Sequence, residues 1–162
     1  MGEKLEPSAY AALLNRFYRS ATDVLIRHDA IIDKLIGDEV MALFIRGICG
    51  PEYHLRAVEA ASALLRAVRD GESGEPWLAL GGAVHSGITY VGNVGGEVVD
   101  FTALGDTVNT ASRLASSAAA GEMLLSETVY AMVAERFPDL KKRSLILRGK
   151  EGSTNARVLG AA

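Results

Sequence analysis

Between Pro7 and His28, apolar side chains recur at Tyr10, Leu13, Leu14, Phe17, Ala21, Val24 and Leu25, with Asn15, Arg19 and Asp23 outside the stripe. Spacing of three to four residues predicts an amphipathic helix. Residues 30–36 and 40–45 are instead continuous apolar, β-branched segments around the polar Gly37-Asp38-Glu39, the pattern of a hairpin with a tight turn. Asp38 then stands at the hairpin tip. Residues 47–51 read as a loop, and Leu55, Val58, Ala61, Leu65 and Val68 mark a second helix that ends at Asp70-Gly71. A polar connector over 71–76 follows.

Residues 77–94 are strand-like and rich in glycine, and 101–104 add a short extended piece. A third helix is predicted over 106–117, with Gly105-Asp106 at its start. A short buried strand over 123–125 leads to Ser126, which can cap a fourth helix running to Arg136 and stopped by Phe137-Pro138. Strands over 144–147 and 156–159 close the pattern as a pair around a polar loop. Helices and hairpins mixed in this order predict an α+β fold, a sheet with helices packed on one face.

The composition of the 162-residue chain, 49% hydrophobic and 23% charged, suits one ordinary domain over residues 1–162 and excludes disordered and collagen-like classes. The longest apolar runs, such as 40–45, fall far short of the roughly 20 residues needed to cross a bilayer, and no signal-peptide pattern opens the chain. The chain therefore reads as soluble and cytoplasmic, without a membrane segment. Cys49 is the only cysteine, which excludes an intrachain disulfide and a cysteine-based zinc site. A net charge of -3 removes the basic field on which non-specific nucleic-acid binding relies.

The segment richest in chemistry is Gly105-Asp-Thr-Val-Asn-Thr-Ala-Ser-Arg113, a glycine turn entering a helix with Asn109 and Arg113 one turn apart. Residues at i and i+4 share a face, so an amide and a guanidinium near a helix N-terminus form a place for phosphate oxygens. The same spacing equally describes an exposed polar face opposite Val108, Ala111 and Ala115. Asp38 at a tight tip suits Mg²⁺, which takes one or two carboxylates plus phosphate oxygens; it also suits a turn former, with Lys34 a solvated strand residue. Arg148-Gly149-Lys150 reads as a phosphate-reaching turn or a charged loop. His85 reads as packed in a glycine-rich strand, and His28 and His54 as surface residues.

Five segments occur together in one order: Asp33-Lys-Leu-Ile-Gly-Asp-Glu-Val-Met-Ala-Leu-Phe44; His85-Ser-Gly with Val91-Gly-Asn-Val-Gly95; Leu104-Gly-Asp-Thr-Val-Asn-Thr-Ala-Ser-Arg-Leu114; Gly121-Glu-Met-Leu-Leu-Ser126; and Arg148-Gly-Lys150. This set resembles the catalytic domain of class III adenylate and guanylate cyclases. The resemblance runs from about Leu5 to Leu159. It implies a ferredoxin-like antiparallel sheet with helices, dimerising head to tail, with nucleotide sites at the interface and two metal ions, Mg²⁺ or Mn²⁺, in each.

By that resemblance Asp38 matches one of two metal-binding aspartates, and Lys34 and Thr102 match the positions that read the purine. Asn109 and Arg113 match the pair that orients the ribose and stabilises the transition state, and Lys150 matches the lysine on the terminal phosphates. In a homodimer Lys34 and Asp38 would serve different sites. A lysine donor and a hydroxyl acceptor suit N1 and N6 of adenine, so the implied substrate is ATP before GTP. The family's usual residue at the Thr102 position is Asp, which sets this chain apart.

Family members open with a strand carrying the first metal aspartate, and the first helix pattern here begins within ten residues of Met1. Asp23, on the polar side of that helix, is no substitute, and Asp29 and Asp33 do not match the position. One expectation is therefore impaired catalysis. Another is a gap in the middle of the sheet, to be met by a rearranged sheet, a segment from a partner chain, or a chain shortened from a longer gene. The alternative to a working cyclase is a non-catalytic module that binds nucleotide or serves dimerisation.

Overall fold

In the computed structural model, which describes residues 6–69, 76–95, 100–150 and 152–160, the first apolar stripe becomes α1 (Pro7–Arg27). Proline sits where a helix start tolerates it, and Phe17, Ala21 and Leu25 are buried. The predicted hairpin forms from β1 (Ile31–Ile36) and β2 (Glu39–Leu43), antiparallel around Gly37-Asp38. Its register slips at one point: Ile32 opposes Ala42 and Lys34 opposes Met41, which leaves Asp33 as a bulge. The Tyr18 hydroxyl donates to the Gly37 carbonyl and ties the hairpin tip to α1.

The expected loop over 47–51 contains a single helical turn, α2 (Arg46–Cys49), because the amides of Ile48 and Cys49 both bond to the Ile45 carbonyl at 2.9 Å. α3 (Tyr53–Arg69) follows as predicted, and the connector expected over 71–76 falls largely outside the described residues. The glycine-rich stretch expected as one strand divides into β3 (Gly81–Val84) and β4 (Tyr90–Val94). Between them, backbone groups bond to side chains rather than to a neighbouring strand. Thr107 donates to the Ile88 carbonyl at 2.6 Å, and a Cβ on Gly87 would stand 2.8 Å from the Thr107 hydroxyl, so glycine is what lets the chain pass. β4 pairs antiparallel with β5 (Asp100–Leu104).

β6 (Glu122–Ser126) lies inside a four-stranded sheet of order β3-β6-β8-β7, parallel to β3 and antiparallel to β8 (Thr154–Gly160). β7 (Lys141–Leu145) completes it, starting earlier than expected. Its successors Ile146 and Leu147 leave the ladder, Leu147 to plug the core at 2% exposure. Met123 and Leu125 of β6 pack with Val58 and Leu65 of α3 and with Val129 and Val133 of α5 (Glu127–Val133). Leu124, one residue out of phase, packs on the other face with Leu114 of α4 (Asp106–Ala115), Leu147 and Ala156. Helices thus cover both faces of the sheet, not one. A strand buried on both sides carries an unbroken apolar run. α5 stops short of Arg136, and Ser126 stands at its N-cap with the hydroxyl bonded to that of Thr128 at 2.8 Å instead of to the helix backbone.

The α+β class is as expected, but the strands form a mixed four-stranded sheet and two separate hairpins rather than one antiparallel sheet. Among the described strands, β2 pairs only with β1 and β3 only with β6. A cleft of about 620 Å³ opens between β2 and β3, with Phe17, Leu25 and Ala61 among its apolar walls. Among the described residues no helix is long and apolar enough to cross a membrane.

Candidate functional site

α4 is entered through Gly105, whose φ of +137° is open to glycine and strained for other residues. The helix buries Leu114 completely, which turns exposed Asn109 and half-buried Arg113 away from the core. Leu147 packs in the same cluster as Leu114 and so anchors the turn that follows it. That turn closes through the Lys150 amide on the Leu147 carbonyl at 3.0 Å and brings Gly149 against the Arg113 guanidinium. Lys150 Nζ donates to Asp106 Oδ2 at 2.6 Å. The hydrogen bond from Lys150 holds the Asp106 carboxyl below the usual aspartate range, with the charges of Lys150 and Arg113 adding to it. Arg113, Lys150 and Asn109 therefore share one side of α4, with Asp106 at its first turn.

A second cluster forms where β1 packs on β5. Thr102 is buried, and its hydroxyl donates to Asp33 Oδ2 at 3.0 Å. Half-buried Lys34 is the next residue, and the bulge at Asp33 frees the two side chains from the strict alternation of a strand. Asp38, at the exposed hairpin tip, belongs to neither cluster. It lines the cleft between β2 and β3 with Glu39, His85, Ser86, Thr107 and Asn109, whereas Lys34, Thr102, Arg113 and Lys150 do not.

Among the described residues no group of three or more His, Cys, Asp or Glu side chains is gathered to hold a metal ion. Asp23 is exposed on α1 and paired with Arg27 at 2.5 Å, as its helix position predicts. His85 lies just beyond β3 and half-buried; its Nδ1 is buried without a hydrogen-bond partner among the described residues. Burial lowers its pKa, the Lys150 charge lowers it further, and Asp106 opposes the shift. His28 and His54 are not free surface residues. His28 Nδ1 meets the Val24 carbonyl at 2.8 Å, and His54 Nε2 meets the Ser86 hydroxyl at 3.0 Å, with burial lowering the His54 pKa.

Sequence reasoning missed Asp106 and Asp33 as members of these clusters. Asp106 and Lys150 are 44 positions apart, and Asp33 and Thr102 are 69 apart, so no local pattern links either pair.

The family model described as the adenylate and guanylate cyclase catalytic domain matches residues 1–158. An adenylate cyclase of Anabaena cylindrica is 33% identical over 120 residues, covering 70% of this chain and 24% of that protein. Adenylate cyclase 1 of Rhizobium meliloti (strain 1021) is 32% identical over 120 residues, covering 70% of this chain and 18% of that one. The chain thus spans a quarter or less of the length of these relatives. Among solved structures, the guanylyl cyclase Cya2 superposes with a TM-score of 0.84 at 25% identity, over 99% of this chain and 85% of its own. The adenylyl cyclase CyaB from P. aeruginosa gives 0.77 at 25% identity, over 99% and 87%. With the ordered motifs and the α4 and β1–β5 clusters, these matches place the chain in the class III adenylate and guanylate cyclase catalytic-domain family.

Proposed function

We propose that residues 1–162 form one nucleotidyl cyclase domain that converts ATP to 3′,5′-cyclic AMP and pyrophosphate at the interface of a cytoplasmic homodimer. The observation that carries this reading is the convergence of Arg113 and Lys150 beside Asn109 on one side of α4. In the reaction the ribose 3′-oxygen bonds to the α-phosphorus, the bond from that phosphorus to the pyrophosphate oxygen breaks so that pyrophosphate departs, and the 3′-hydroxyl proton passes to solvent. Negative charge grows on the phosphate oxygens, and fixed cations are what that charge requires. Arg113 meets the transferring phosphate, Asn109 orients the ribose, and Lys150 exchanges Asp106 for the terminal phosphates. Lys34 donates to adenine N1 while Thr102 accepts from the exocyclic amine. Two of the relatives are named adenylate cyclases, which agrees with that reading of the base.

A homodimer is supported by the placement of the parts. Asp38 and the base-reading pair face different regions of one chain, so a complete site takes residues from two. The β4–β5 hairpin and the segment before it also expose Ile88, Tyr90, Phe101 and Leu104, an apolar surface suited to burial against a second copy.

The donor set fits one divalent cation, Mg²⁺ or Mn²⁺, held by Asp38 together with phosphate oxygens, and such an ion would supply charge stabilisation. Among the described residues no group of three or more ligating side chains is gathered at Asp38, although Glu39 and His85 line the same cleft. The second reading is a nucleotide-binding module without catalysis.

Cyclic AMP formation in Mn²⁺ separates the two. The cyclase reading expects metal-dependent product that Arg113→Ala lowers about 100-fold while ATP affinity changes little, as for a group acting in the transition state. ATP binding with no product supports the second reading, and equal activity in the Arg113 variant removes that residue's role.

A further inference from the structure

Thr102 is 3% exposed, and its hydroxyl donates to Asp33 Oδ2 at 3.0 Å. Its other approach, 3.5 Å to the Ala103 carbonyl, is too long to compete. A hydroxyl has one proton and two lone pairs, whereas a carboxylate offers only acceptors. The Thr102 proton is therefore committed to Asp33, and what Thr102 retains for a ligand is lone pairs. Asp33 Oδ1 is itself buried, with no hydrogen-bond partner among the described residues. At the joint between β1 and β5 this one carboxylate oxygen is thus left with unused lone pairs, a costly condition for buried oxygen. It lies at the bulge beside Lys34.

We propose that Asp33 sets the base preference of this site: by taking the Thr102 proton it fixes that hydroxyl as an acceptor, which selects a purine with an amine at its six-position over one with a carbonyl. The proposal rests on the cyclase reading above and assigns a residue that reading does not use. An unpaired threonine discriminates little, since its hydroxyl can turn to accept from the adenine amine or donate to the guanine carbonyl. With Asp33 in place, the six-position carbonyl of guanine meets an acceptor at Thr102, whereas the six-position amine of adenine meets lone pairs that can take its protons. Asp33 acts through Thr102 and is a positioning residue. Its replacement by Asn offers an amide N–H beside a carbonyl, so the Thr102 hydroxyl is no longer held to donating there and can turn its proton to a ligand carbonyl.

The test is competition of unlabelled ATP and GTP against a fluorescent N-methylanthraniloyl ATP analogue, on the whole chain in Mn²⁺. The wild type should prefer ATP. Asp33→Asn should lower the ATP-over-GTP ratio about tenfold, the effect of one hydrogen bond, largely by improved GTP binding. Thr102→Val should lose the preference with Asp33 intact, and Thr102→Ser should retain it; this pair carries the test if the Asp33 variant does not fold. An unchanged ratio in folded Asp33→Asn or in Thr102→Val overturns the role of Asp33 and leaves the cyclase reading standing. A wild type that prefers GTP overturns the role of Asp33 and the choice of ATP, and leaves a nucleotidyl cyclase domain. A wild type that binds neither nucleotide overturns both.

Discussion

His85 shows how one side chain senses the site around it. Burial and the nearby Lys150 charge depress its pKa, so the folded chain resists a proton that the unfolded chain accepts. The stability this contributes is present above the ordinary imidazole value of about 6.5 and is lost as pH falls from there through the lower value of the folded chain. Urea midpoints taken at about pH 7 and about pH 5.5 should therefore fall further for the wild type than for His85→Gln; equal falls would show that His85 does not carry the effect. Other single-residue features were less legible. Lys34, Asp38, Asn109, Arg113 and Lys150 stand out through their motifs, but Asp33 follows the hairpin pattern until the bulge breaks its alternation. A bulge is set by the partner strand and leaves no mark in the residues it shifts.

At the scale of elements, α1, α3 and α4 were readable because each buries one periodic face, and the β1–β2 hairpin because two apolar, β-branched runs flank a polar turn. The division of strands among three sheets was not, since hydrogen-bonded edges have no sequence period. β6 illustrates the difference: Met123, Leu124 and Leu125 read only as a buried strand, yet they serve two cores on opposite faces. Leu124 is completely buried between α4 and β8, so Leu124→Ala should destabilise the chain by about 2–5 kcal/mol in equilibrium urea unfolding. A loss below about 1 kcal/mol would mean that the α4 face is loosely packed. Because Leu147 shares this core and anchors the Lys150 turn, the same variant should also weaken ATP binding. Unchanged affinity would separate the turn from the core.

Over the whole molecule, the four-stranded sheet and its helices hold the α4 cluster, while the two hairpins carry Asp38, Lys34, Thr102 and the exposed apolar surface. The fold class could be read from the sequence, and the ordered motifs could be read as a family resemblance. The grouping of site residues depends on how separate sheets are placed, which no segment encodes alone. The functional account stands on the claim that this assembly is a metal-dependent nucleotide site. Isothermal titration of the chain with ATP, with and without Mn²⁺ and in Asp38→Ala, tests it most directly. The account predicts binding that requires the metal and disappears in the Asp38 variant; ATP binding that ignores both the metal and Asp38, or no binding in Mn²⁺, would contradict it.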